Sequence, residues 1–305
     1  MGDKTGIEWT DATWNPTTGC NKVSPGCDNC YAMTLAKRLK AMGSPRYQAD
    51  GDPRTSGPGF GLTVHPTALD QALRWTRQRR IFVNSMSDLF HDRVSDVFIA
   101  QVYAVMALAP QHTFQLLTKR HGRMRSIMTS RDLSGTGAGL SLEAMVRNAV
   151  DNRRASEERL EWPRGDDIVW PLPNVWLGVS AEDQKRAELR LPALYDTPAA
   201  VRFVSAEPLL GLIDTATTGL LARDEFDRGI DWMIVGGESG PGARPMHLDW
   251  AKQLRDQCEA AGVAFHMKQY GEHLARALKL NDRKGGDPSE WPEQFPREYP
   301  EAKAA

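Results

Sequence analysis

The chain has 305 residues, 41% of them hydrophobic and 25% charged, with a formal charge of -1. These are ordinary values for a globular protein with ample core material, and they leave no global basic field, so any nucleic-acid binding would rest on a local patch. No stretch approaches the roughly 18 apolar residues of a membrane span, and the first 43 residues lack the apolar run of a signal peptide.

The first strand is expected around 8–14, followed by a cysteine-rich loop and a helix over 31–42. Residues 44–64 are rich in Gly and Pro and read as a long irregular loop. Residues 81–86 (IFVNSM) read as a buried strand. The stripe Val94, Val97, Phe98, Val102, Val105 and Met106 predicts a helix over 94–109. A third strand follows at 114–118. Residues 129–173 form an insertion, helical and charged over 141–160, with a mobile start at 134–140. Strands follow at 174–180, 201–205, 232–236 and 263–268. A helix over 249–261 ends at Gly262 as its C-cap. The tail carries Pro288, Pro292, Pro296 and Pro300 and reads as extended. Alternating strands and helices imply parallel pairing with right-handed crossovers. The expected organisation is one parallel (β/α) barrel domain over 1–271, complete or incomplete, with an extended tail over 272–305. An open, doubly wound sheet is the alternative.

Three of the four cysteines, Cys20, Cys27 and Cys30, fall within eleven residues, and Cys258 stands alone. This distribution suits a metal in a reducing cytoplasm better than disulfides. The array is C-x6-C-x2-C, with Gly19 and Pro25-Gly26 supplying tight bends. Structural zinc normally takes four protein ligands, yet no fourth cysteine is near and the first histidine is His65. Three thiolates and an open position suit a [4Fe–4S] cluster with one exposed iron. Zinc and plain buried thiols are the competing readings.

A strand, a three-cysteine loop, an aromatic residue (Tyr31) beside the last cysteine and then a helix resemble the start of a radical S-adenosylmethionine (SAM) enzyme. The six-residue first gap departs from that superfamily's common C-x3-C-x2-C spacing. The phrases GIEWTDATWNPTTGC, VSPGCDNCYA, FVNSMSDLFH and LLTKR resemble a phage- and bacteria-associated three-cysteine-motif family of unknown function, over about residues 6–271. More distantly, Ser87-Asp88 and Thr118-Lys119 are similar to the spore photoproduct lyase branch.

In parallel α/β barrels the chemistry gathers at the carboxyl ends of strands. Here those ends are polar: Asn84 to Asp88, Thr118-Lys-Arg120, Ser180 to Asp183, Ser205-Ala-Glu207, Gly236-Gly-Glu238 and Lys268 to Tyr270. The resemblance implies that Cys20, Cys27 and Cys30 hold the cluster and that SAM lies in this funnel. Ser85, Ser87 and Asp88 would accept from its ammonium, and Lys119 or Arg120 would pair its carboxylate. Gly236 and Gly237 would allow close approach of the adenosine. Tyr31 and Ser180 would complete the cofactor side, and Glu207 and Glu238 would contact substrate or SAM.

The implied activity is formation of a 5′-deoxyadenosyl radical, with electrons from an external flavodoxin- or ferredoxin-like donor, acting on DNA, RNA or a nucleotide in repair or modification. Arg74, Arg77, Arg79 and Arg80, with Lys119, Arg120, Arg123 and Arg125, would then form one basic rim, and Trp75 or Trp162 could stack a base. The alternatives are a non-catalytic iron–sulfur nucleic-acid-binding or sensor protein, a zinc-dependent nucleic-acid enzyme, and a radical SAM enzyme acting on a peptide or small molecule.

Overall fold

The computed structural model describes residues 5–130, 139–159, 161–216, 219, 221–226 and 228–301. The expected mobile start of the insertion falls largely outside the described residues. In chain order the elements are β1 (Ala12–Trp14), β2 (Thr17–Thr18), α1 (Tyr31–Ala41), β3 (Thr63–Val64), β4 (Arg80–Val83), α2 (Asp96–Ala107), β5 (Thr113–Thr118), α3 (His121–Met128) and α4 (Leu142–Ser156). They continue with β6 (Val175–Ser180), α5 (Gln184–Tyr195), β7 (Val201–Ala206), β8 (Trp232–Gly236), α6 (Leu248–Ala261), β9 (Ala264–Gln269) and α7 (Glu272–Ala277).

Seven strands form one sheet in the order β1-β4-β5-β6-β7-β8-β9, and every pair is parallel. Sequence order never reverses, so the sheet winds in one direction and lacks the switch point of a doubly wound fold. It curls into a half-barrel flanked by helices, which places all seven carboxyl ends on one side. The helices cap as their sequences suggest: Ser95 accepts from Phe98 N–H at 3.2 Å, Asp183 from Arg186 N–H at 2.9 Å, and α6 ends on Gly262 at φ 66°.

The two faces of the sheet build separate cores. Met233 and Val235 of β8 pack under the helices, while Trp232 and Ile234 join Trp9, Phe82, Trp176, Val201 and Phe203 inside the curl. Cross-strand registers make this interior layered. One layer runs Phe82, Gln115, Trp176, Val201, and the next Leu117, Gly178, Phe203, Trp232, Ala264. Gly178 is required there, because a Cβ would stand 2.5 Å from the Phe203 ring. The third layer, nearest the carboxyl ends, begins Ser180, Ser205. The interior thus passes from aromatic to polar toward the side where function is expected.

The segment after Gly271 opens with α7 and then runs back along β9. Glu298 N–H donates to Phe265 O and Met267 N–H to Pro296 O, both at 2.9 Å, so this stretch lines the free edge of β9. Tyr299 sits 5.2 Å from the Trp232 ring with the Arg80 guanidinium 4.2 Å over it, and Arg297 pairs with Glu8. The tail thereby bridges the open side of the half-barrel. The 44–64 loop also has structure: β3 pairs antiparallel with β2, and Tyr47 and Phe60 are buried.

Candidate functional site

The cysteine loop leaves β1 through Asn15 to Gly19, and the end of β4 holds that lead-in. Asn84 N–H donates to Trp14 O at 2.7 Å, Met86 N–H to Asn15 Oδ1 at 2.9 Å, and Gly19 N–H to Met86 O at 2.9 Å. Asn84 takes φ 62°, a left-handed conformation that Asn tolerates better than most residues. Gly19, at φ 85°, has no alternative: a Cβ would lie 2.2 Å from Gly61 O. Cys20 and Cys30 then pack against a small apolar cluster of Ala32, Ala36, Tyr47, Phe60 and Met86.

Two carboxylates from distant strands hold the rest of the loop. Glu182, fully buried after β6, accepts from Gly26 N–H at 3.2 Å and pairs with buried Arg190 at 2.9 Å. Glu238, after β8, accepts from Asn29 Nδ2 at 2.8 Å and from Arg244 Nε at 2.9 Å, while Arg244 also donates to Pro25 O. Burial works to raise both carboxyls. The Arg190 charge at Glu182, and the Arg244 and Asn29 hydrogen bonds at Glu238, outweigh it and hold both below the usual carboxylate range. Glu238, which the sequence suggests as a substrate or SAM contact, clamps the loop through Asn29 and Arg244.

One cavity lies between this loop and the carboxyl ends of the strands. Cys20, Cys27, Cys30, Tyr31, Ser85, Ser87, Asp88, Lys119, Ser180, Glu207, Gly237 and Glu238 all reach its wall. Arg120 and Gly236 do not. Arg120 instead stands close enough for its charge to act on the Cys20 thiol, with Asp92 at 3.6 Å. At Gly236 the available space is taken by the Glu207 side chain, and at Gly237 by the Tyr270 backbone, where a Cβ would be 2.1 Å from Tyr270 O. Both glycines serve packing between strands.

Several polar side chains expected to face a ligand are occupied by the protein. Asp88 accepts from Thr118 Oγ1 at 2.7 and 2.9 Å, from Lys119 N–H at 3.1 Å and from Phe90 N–H at 3.0 Å. Its four acceptor sites are largely filled, so it positions the turn that presents Lys119. The Ser87 hydroxyl lies 2.6 Å from that of Thr17, and the Ser85 carbonyl accepts from Tyr31 at 2.5 Å. Lys119 Nζ reaches Ser180 Oγ at 3.0 Å. Lys268, which in the sequence is only part of a polar strand end, pairs with Glu207 at 2.8 Å, and Glu182, Asn29 and Arg244 supply ties that the sequence gives no role. Polar strand ends signalled the first two; nothing local marks Asn29 or Arg244.

The basic rim is not formed. Arg74, Arg77, Arg79 and Arg80 precede or open β4, at the opposite end of the strand from Asn84 and Asp88, and none reaches the cavity wall. Trp75 is buried, with Arg79 over its ring, and Trp162 is half-buried beneath Arg159. Arg123 and Arg125 pair with Asp96 and Asp196.

Burial pushes the Cys20 thiol up to about 12, with Asp88 adding to the shift and Arg120 opposing it; burial also raises Cys30. Arg120 near Cys20 and Lys119 near Cys30 oppose the shift without cancelling it, so a metal would have to displace the thiol protons. Among the described residues, no three His, Cys, Asp or Glu side chains form a ready-made metal-ligand group. By donor chemistry the wall nonetheless suits an iron–sulfur group: three free thiols from one loop, with no histidine beside them.

Fold and site together define a parallel α/β half-barrel protein with a three-cysteine loop over its carboxyl-end cavity. The chain belongs to the family described as "Protein of unknown function (DUF5131)", whose model matches residues 4–296. No curated protein and no solved structure gives a significant match.

Proposed function

We propose that this chain is a radical SAM-type enzyme that holds a [4Fe–4S] cluster on Cys20, Cys27 and Cys30. The observation that carries the reading is that the three thiols share one cavity with the polar carboxyl ends of a parallel half-barrel, where this architecture places its chemistry. When bound, the cluster would supply the electron that cleaves SAM to a 5′-deoxyadenosyl radical. Lys119, set in place by Asp88, would pair the SAM carboxylate. Tyr31, whose hydroxyl is fixed on Ser85 O, would form the wall beside the last cysteine. The loop, tied down through Gly26 and Asn29, would limit water at the reacting centre.

The electron would come from an external donor of the flavodoxin or ferredoxin type; the groove that shares Cys30 and Tyr31 with the cavity is mixed in charge, with Arg38, Arg283 and Lys284 beside Asp28 and Glu272, and Arg283 paired with Glu272 at 3.0 Å. The separated basic groups support a nucleotide, or another small molecule, over a DNA or RNA polymer as substrate. Anaerobic reconstitution tests the whole reading. Iron–sulfur absorbance followed by 5′-deoxyadenosine release on reduction with SAM is expected. Colour without cleavage would leave a structural or sensing cluster, and stoichiometric zinc in place of iron would overturn the proposal.

A further inference from the structure

We infer that the Glu207–Lys268 pair is the recognition element for a neutral, planar ligand bearing an amide or lactam edge; this deepens, and rests on, the reading of the cavity as an active site. Glu207 follows β7 and Lys268 lies in β9, with β8 between them. Their ion pair, 2.8 Å long, therefore spans the end of the intervening strand. It passes over Gly236, where a Cβ would stand 2.6 Å from Glu207 Oε1. The missing side chain on β8 is what lets the pair lie across the strand.

The pair faces the cavity: its side chains keep 13% and 22% of their exposure, and both residues reach the wall. An ammonium has three protons, and among the described residues Lys268 Nζ uses them on Glu207 alone. The second Glu207 oxygen has only the Ser205 hydroxyl at 3.4 Å. One donor and one acceptor thus stand side by side with capacity to spare. A ligand edge with N–H beside C=O satisfies both at once. An anion would oppose Glu207 and a cation would oppose Lys268, so the neutral amide is favoured over either. Trp9, Phe82 and Leu117 supply apolar surface on the same wall for a flat ring, and the buried Trp9 Nε1 has no partner of its own.

Calorimetric titration of the full chain with uracil and nicotinamide, against benzoate and benzylamine as charged planar controls, tests this. The neutral probes are expected to bind at least tenfold more tightly than the charged ones. Lys268→Met should weaken them at least tenfold, and Gly236→Ala equally, by displacing Glu207 without removing a charge. Neutral probes that bind no better than the charged ones, or variants that bind like the unaltered chain, would overturn the assignment. If Gly236→Ala loses its circular dichroism signature, Lys268→Met decides alone. Running the titration and the reductive cleavage assay side by side on the reconstituted, unaltered chain separates the two readings. Amide binding without 5′-deoxyadenosine release keeps this inference and removes the radical mechanism; cleavage without amide preference does the reverse.

Discussion

The main-chain N–H of Gly26 donates to Glu182 Oε1 at 3.2 Å, so the middle of the cysteine loop hangs from a carboxylate buried at the end of β6. The fit is close: a Cβ on Gly26 would lie 3.1 Å from Glu182 Cδ. The loop thus takes its position from strands more than 150 residues away in sequence as well as from its own bends.

Replacing Glu182 by Ala leaves Arg190, 5% exposed, as an uncompensated buried charge. A loss on the order of 3–5 kcal/mol is expected from breaking such a pair. Urea denaturation should show it as a lower midpoint, and iron uptake should fall with it. An unchanged midpoint would mean that the pair contributes little to holding the loop.

Ala in place of Cys20, Cys27 or Cys30 should bring reconstituted iron to background, because a three-thiol site has no spare protein ligand. Cys258, buried in α6 and away from the cavity wall, should be replaceable by Ala with full iron content. Iron analysis and visible absorbance check both halves. Equal iron in Cys30→Ala and the unaltered chain would exclude these cysteines as the ligand set.

Acid should destabilise the protein in two stages. His91 and His266 are buried, and burial pushes both down from 6.5 to about 4. Between those values the unfolded chain binds protons that the folded one does not. Their contribution is therefore complete above 6.5 and is lost as pH falls toward 4. The depressed carboxyls of Glu182 and Glu238 extend the loss below their ordinary value of 4.5. Urea midpoints at about pH 7.5, 5.5 and 4.5 should fall in that order. A flat profile down to about pH 5 would contradict the assignment of buried neutral imidazoles.

Trp291 stacks on Tyr270 at 4.9 Å and is 4% exposed, anchoring the tail that bridges the open side of the half-barrel. Trp291→Ala should cost about 3–5 kcal/mol as a large-to-small core change. Limited proteolysis should then cut after residue 277 faster than in the unaltered chain. Unchanged protection would show that Tyr299 and Arg297 hold the tail without it.

Six of the seven sheet strands were legible in the sequence as short, largely apolar runs closed by polar residues, a local feature, while β1 was placed by its position before the cysteine loop. The cysteine loop was legible for the same reason, since its three cysteines and its bends sit within a few residues of one another. That the polar strand ends share one side of the half-barrel followed from the parallel order alone. What sequence spacing could not reveal was which polar groups the protein itself consumes. Asp88, Ser87 and Glu238 look like free ligand contacts in the chain, but Thr118, Thr17 and Arg244 claim them once the strands converge. Only the tertiary structure put Lys268 beside Glu207 across Gly236, laid residues 296–299 along the free edge of β9, and set Arg80 at the far end of its strand from Asp88. Hydrophobic periodicity and loop chemistry are decided between neighbours in sequence. The satisfaction of a buried charge or hydrogen-bonding group is decided by whichever partner the fold brings within about 3 Å.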